Sequence, residues 1–183
     1  MQNVAEKEAK GLYDAWDMRK RFSKLLQYLG LKDDGLSNRL VTIFAEARAE
    51  SSKPYPDAHN VLGKLKAKYV LGVITNGPSA YQMEAISTLK LGAYFSHILF
   101  PEEVGFRKPM KEVFQTALSE VACRPEEAVM VGDNLTMDIS PAKKLGMETV
   151  LFDPKNRFAK EDLSPEERPN YLIRRLTELL DLY

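Results

Sequence analysis

Val129-Met130-Val131-Gly132-Asp133-Asn134-Leu135-Thr136-Met137-Asp138 begins as a short apolar run, breaks at a glycine and then offers two carboxylates five residues apart. β-Branched and apolar residues ending at a glycine and an acid read as a strand that delivers a side chain from its carboxyl end. Paired carboxylates in such a place suit Mg²⁺, a hard cation that takes one or two of them and leaves its other positions to water and phosphate. The same two residues also serve as a turn aspartate and a helix N-cap, both common uses of that side chain.

The sequence around this stretch repeats its texture. Short apolar runs at Tyr69–Thr75, His97–Phe100, Ala128–Val131 and Thr149–Phe152 predict strands. Helical spacing between them predicts helices that bury Ala58, Val61, Leu62 and Leu65, then Ile86 and Leu89, then Val113, Phe114, Ala117 and Leu118, then Ala142 and Leu145. Such alternation specifies an α/β fold, a Rossmann-like parallel sheet with flanking helices. A last helix is expected over Ile173, Leu176, Leu179 and Leu180, after a charged loop around Glu161 to Arg168.

In open sheets of this class, reactive groups gather beyond the carboxyl ends of the strands, where helix N-termini offer free N–H groups to anions. Two further strand ends carry suitable side chains: Thr75-Asn76-Gly77 after the first, and Lys108 within Glu103–Pro109 after the second. A threonine closing a strand or a lysine in a loop is ordinary by itself. The three ends together supply what phosphoryl transfer needs. A hydroxyl and backbone N–H groups hold phosphate oxygens, Lys108 provides a compact positive charge, and Asp133 with Asp138 holds the metal.

Lys53 to Asp153 resembles the phosphatase branch of the haloacid dehalogenase superfamily, with ITNG at Ile74–Gly77, GFRKP at Gly105–Pro109 and VGDNLTMD at Val131–Asp138 in the order of that family's second, third and fourth motifs. The resemblance implies a Mg²⁺-dependent hydrolase of a small phosphate monoester. It gives Thr75, with Asn76 and Gly77 beside it, the phosphate-gripping part. It makes Lys108 the catalytic contact to phosphate and nucleophile, and Asp133 and Asp138 the metal's acids. Residues 1–53 resemble part of the helical cap of such enzymes, leaving 54–183 as the α/β core. Within 1–53, Leu12, Ala15, Phe22, Leu25 and Leu29, then Leu36, Leu40, Ile43, Phe44 and Ala47, recur at helical spacing, and the polar stretch Ser51–Pro56 marks the boundary. Tyr13 and Trp16 fall on the first helix as packing residues, and His59 and His97 are assigned structural roles.

One motif of that family is absent: nowhere in the chain is an aspartate followed two residues later by another. Asp14 and Asp17 are three apart, Asp33 and Asp34 are adjacent, and Asp153 has Lys155 where a second acid is needed. In the family the first acid of that pair attacks phosphorus, and losing a nucleophile costs on the order of 10⁶ in turnover in another hydrolase. Negligible phosphatase activity is therefore expected of this polypeptide alone. The resemblance places the missing strand mid-sheet, between the strands that end at Thr75 and Gly132. Unpaired backbone groups there cost roughly 1–3 kcal/mol each when buried, so the gap calls for repair. The two strands pair directly, another segment fills the space, or a second chain supplies a strand by exchange or dimerisation. A segment lost upstream would explain both the missing acid and the missing strand.

Composition excludes several other classes. The 183 residues are 44% apolar and carry 26 basic and 26 acidic side chains, a balance without the positive field of a general nucleic-acid binder. No apolar run approaches the roughly 20 residues that span a bilayer, so no membrane partner is expected. Met1–Lys10 lacks a signal-like apolar segment and Cys123 is the single cysteine, which points to the cytoplasm. The alternative function is a non-catalytic module that binds a ligand or a protein partner. Halide displacement is disfavoured because it needs no metal, and a receiver domain because it orders its acids before its threonine and lysine.

Overall fold

The computed structural model describes residues 17–159 and 162–183, apart from the side chain of Ala49. Expectations placed on Leu12, Tyr13, Asp14, Ala15, Trp16 and Glu161 lie outside the described residues. In chain order the elements are α1 (Met18–Tyr28), α2 (Leu36–Ser51), α3 (Ala58–Lys66), β1 (Gly72–Ile74), α4 (Ser79–Thr88), β2 (His97–Leu99), α5 (Pro101–Val104), α6 (Lys111–Glu120), β3 (Val129–Gly132), a π-helical turn (Leu135–Ile139), α7 (Ser140–Lys144), β4 (Glu148–Phe152), β5 (Tyr171–Ile173) and α8 (Leu179–Leu182). They form two compact units.

The helical unit ends at Lys53 and also takes in Gly77–Leu89. Asp17 starts α1 by accepting the Lys20 N–H at 3.0 Å, which satisfies one of the donors a helix N-terminus leaves open. Asp33 accepts the Ser37 N–H at 2.8 Å, so its carboxyl is held below its ordinary pKa, and Gly35 at φ +80° turns the chain into α2. Between α1 and α2, Phe22 meets Phe44 edge to face at 6.3 Å. The helix carrying Ile86 and Leu89 was expected in the α/β core, yet it clusters here. Its Tyr81 ring lies 5.8 Å from the Arg48 guanidinium of α2, and the helix has no fully buried residue to commit it to the sheet.

The α/β unit comprises Pro54–Asn76 and Lys90–Tyr183. Its strands are parallel, as the alternating pattern requires: β1 pairs with β2, with Val73 opposite Ile98, and β4 pairs with β3 and β5, with Val131 opposite Val150 and Leu151 opposite Leu172. That register puts Met130 and Val150 on opposite faces. Met130 packs with Val113, Phe114 and Leu118 of α6, which also touch Ile74, so α6 lies against strands of both sheets. Val150 packs with Val61 and Leu65 of α3 and with Ile173 and Leu179.

Two expectations are corrected. The final helix does not begin at Ile173: Tyr171–Ile173 is β5, and helical structure starts only with a 3₁₀ turn at Leu176–Glu178 followed by α8. Ile173 stands at helical spacing from Leu176, but as a strand residue it reaches the core while its backbone joins the β4 ladder. The first strand is shorter than expected: Tyr69 and Val70 are exposed, and the register with β2 runs from Gly72 to Ile74.

β1 and β3, the strands expected to border a gap, do not pair with each other, and among the described residues each has a single strand neighbour. Direct closure is therefore not the repair adopted. Val129 and Val131 of β3, on the face away from Met130, keep 36% and 39% of their surface exposed. Among the described residues no helix is long and apolar enough to cross a membrane.

Candidate active site

Lys108 joins the two sheets at their carboxyl ends. Asn76, two residues past β1, donates through Nδ2 to the Lys108 carbonyl and accepts the Lys108 N–H on Oδ1, both at 2.8 Å. One side-chain amide thus fixes the lysine loop to the tip of β1. The loop reaches that position because Gly105, at φ +75°, ends α5 in the left-handed conformation that residues with a Cβ adopt only with strain. From there Lys108 Nζ extends to 2.6 Å from Asp138 Oδ1, with the two side chains only 14% and 6% exposed. Asn76, Lys108 and Asp138 are therefore one connected group.

Thr75 sits beside Asn76, its N–H extending the β1 ladder to the Leu99 carbonyl at 3.3 Å. Gly77 opens the segment that clusters with the helical unit, where a Cβ would strike the Gln82 side chain.

The second acid reaches Lys108 by folding back over its own strand. Asn134 caps the π-helical turn, its Oδ1 accepting the Thr136 and Met137 N–H groups at 3.0 and 2.9 Å. The capping part therefore belongs to Asn134, and Asp138 lies inside the turn. The Asp138 carboxylate lies against Gly132, so close that a Cβ there would be 2.5 Å from Oδ2 and 2.6 Å from Cγ. Glycine is required at this position for space. Asp138 Oδ2 accepts the Asn134 N–H at 3.1 Å. Oδ1 is buried and has no hydrogen-bond partner, since Lys108 Nζ is close but lies outside hydrogen-bonding angles.

Asp133 stands in a different environment. Its side chain is 71% exposed, with Oδ2 4.0 Å from Arg157 Nη2, and the same nitrogen donates to the Asp133 carbonyl at 3.2 Å. A buried carboxylate oxygen that faces an ammonium but accepts no hydrogen bond, five residues along the chain from an exposed carboxylate, fits a hard cation that completes its shell with water and ligand oxygens. Among the described residues no group of three or more His, Cys, Asp or Glu side chains gathers as an all-protein cage.

Sequence reasoning missed Asp153, which it weighed only as a nucleophile. It follows β4 directly, is fully buried, and accepts the Phe158 N–H at 3.0 Å and Arg157 Nε at 3.2 Å, with Arg174 Nη1 at 3.5 Å. Burial pushes its carboxyl up, but the Phe158 N–H and Arg157 outweigh burial and hold it below the ordinary value of 3.8. Its place at a strand's carboxyl end was the available signal. The arginines were harder to foresee, since one lies four residues on and the other just past β5.

A family model for haloacid dehalogenase-like hydrolases matches residues 6–152, and the chain belongs to that family. It is 39% identical over 128 residues to a glyceraldehyde 3-phosphate phosphatase from Pyrococcus furiosus, covering 69% of this chain and 53% of that protein. A protein of the same name from Methanocaldococcus jannaschii is 34% identical over 165 residues, covering 89% of this chain and 71% of the relative. The chain thus spans about half the length of the first relative. Among solved structures, the HAD-hydrolase YfnB from Bacillus subtilis bound to magnesium matches with a TM-score of 0.74 at 26% identity, covering the whole of this chain and 83% of that one.

Proposed function

We propose that this chain carries the phosphate- and metal-binding part of a Mg²⁺-dependent phosphatase for small phosphate monoesters, and that it does not by itself complete the covalent step. The observation that carries this reading is the Asn76–Lys108–Asp138 connection, which gathers an ammonium and a buried carboxylate at the ends of two parallel sheets. Thr75 and the N–H groups of the Asn76–Gly77 turn would take phosphate oxygens, and Lys108 would neutralise the phosphate's charge. Asn76 spends its amide on the Lys108 backbone, so its part is to hold the lysine in place. Asp133 and Asp138 would hold Mg²⁺, which when bound supplies charge stabilisation to the phosphoryl oxygens. The names of the relatives support a small phosphorylated aldehyde or sugar as substrate.

The chain holds no carboxylate pair of the D-x-D kind, so covalent attack has no group to perform it. The edges of β1 and β3 favour a second reading that completes the first: an extended segment, from this chain or a second copy, seats there. Purified protein is tested with glyceraldehyde 3-phosphate and a chromogenic phosphate monoester in the presence of Mg²⁺. Background rates are expected, alongside binding of inorganic phosphate that Lys108→Met abolishes. Turnover well above background overturns the inactivity, and phosphate binding indifferent to Lys108→Met overturns the site.

A further inference from the structure

Arg157 touches two aspartates that differ in exposure. Asp153 is fully buried at the end of β4, and Asp133 is largely exposed at the end of β3. Arg157 Nε donates to Asp153 Oδ1 at 3.2 Å, while Nη2 donates to the Asp133 carbonyl oxygen at 3.2 Å. The guanidinium is planar, so fixing Nε on a carboxylate that cannot move also fixes the direction of Nη2. The Phe158 ring, 5.2 Å from the guanidinium carbon, closes one side of that plane. Asp153 in turn is immobilised by the Phe158 N–H and by Arg174.

We infer that Arg157, seated on Asp153, is the positioning residue that sets the Asp133 turn for a divalent cation. The inference rests on the proposal that Asp133 and Asp138 receive Mg²⁺. Arg157 grips the Asp133 main chain and leaves its carboxylate, 4.0 Å away and exposed, available to the metal. The grip matters because, among the described residues, β3 is paired with β4 alone, so no described strand flanks Asp133 on the other side. Asp138 needs no such help, being held by the Asn134 N–H and Lys108. A residue that merely neutralised Asp153 would need charge alone, and lysine would replace it. A residue that positions Asp133 needs two donors in a fixed fork, which lysine lacks.

The test compares wild type, Arg157→Lys and Asp138→Asn in Mn²⁺ titrations followed by electron paramagnetic resonance, together with amide hydrogen exchange of the metal-free proteins. Outer partners of metal ligands typically contribute 10-fold or more to affinity, so Arg157→Lys is expected to weaken Mn²⁺ binding about 10-fold. Its metal-free melting midpoint should stay within about 2 °C of wild type, as the charge beside Asp153 remains. Exchange of the Asn134 amide should quicken in the same variant. Unchanged Mn²⁺ affinity in Arg157→Lys, while Asp138→Asn loses binding, overturns the positioning role and leaves the metal site standing. A wild type that binds no Mn²⁺ overturns both. A loss of affinity matched by a proportionate loss of stability also overturns it, since Arg157 is then only a structural partner of Asp153.

Discussion

Gly132→Ala inserts one methyl group against the Asp138 side chain. The new Cβ would stand 2.5 Å from Asp138 Oδ2 and 2.6 Å from Cγ, where ordinary contacts begin at 3.4 Å, so one side must retreat by about 1 Å. Neither side is loose. Asp138 is held through Oδ2 by the Asn134 N–H and through Oδ1 by Lys108, and Gly132 is opposite Leu151 in the β3–β4 ladder. Overpacking of a well-filled site costs roughly 1–3 kcal/mol. A value of about 2 kcal/mol corresponds to about 4–8 °C in melting midpoint for a chain of this size. Gly105→Ala is the control, because nothing lies within 4 Å of its Cβ position and only the φ of +75° is strained. The two variants separate in a second measurement: Gly132→Ala should displace Asp138 and weaken Mn²⁺ binding, whereas Gly105→Ala should cost about 1–2 kcal/mol with the Asn134 amide shift preserved. Both are read by urea unfolding and by nuclear magnetic resonance of the Asn134 N–H. A Gly132→Ala protein with wild-type unfolding and an unmoved Asn134 signal would refute the steric reasoning.

Lys108→Met strips the Asp138 carboxylate, 6% exposed, of its counter-charge and leaves it the Asn134 N–H, and should cost about 3 kcal/mol at neutral pH. The double variant Lys108→Met/Asp138→Asn should recover more than half of that in a double-mutant cycle, and additive losses would disprove the pairing. Asp153 titrates below its ordinary 3.8 when folded, so its contribution is complete above about pH 4 and is lost as pH falls through the lower folded-state value. Asp153→Asn should therefore flatten the acid side of the stability profile measured by urea midpoints between pH 2 and 7, and an unchanged slope counts against that assignment. Val131→Lys places a charge on the exposed face of β3 and should lower light scattering at high protein concentration, unless edge pairing plays no part in association.

How much of this could be read from residues alone depended on whether the determining contact was local. The run from Val129 to Asp138 was legible because each step is local: apolar residues for the strand, a glycine where a carboxylate folds back, and polar residues that cap a turn. Lys108 was legible for a topological reason, since strand ends of one parallel layer converge and a lysine after the second strand has few other places to reach. Even there the partner chosen by Asn76 was not foreseeable: an amide beside a phosphate-binding threonine looks like a ligand, and only the 2.8 Å pair to the Lys108 backbone shows it engaged with the protein itself. β5 failed because Ile173 and Leu176 stand at helical spacing, and only parallel pairing with β4 claims Ile173 for a strand. Asp153 failed for want of its partners, as an acid at a strand end is worth little until Arg157 and Arg174 are seen to meet it.

The same distinction explains why the split between β1 and β3 was readable from a resemblance and its consequence was not. A gap beside β1 and β3 can be expected by counting motifs, but whether the two strands close up depends on packing. α6 lies against both sheets through Val113, Phe114 and Leu118, and the Asn76–Lys108–Asp138 chain ties their carboxyl ends. Closing the gap would slide β1 toward β3 by about one strand spacing, near 4.8 Å, and would break both ties. The two edges therefore stay apart because closing them would sacrifice an apolar cluster and a buried ion pair for a few ladder bonds, each worth only about 1 kcal/mol net.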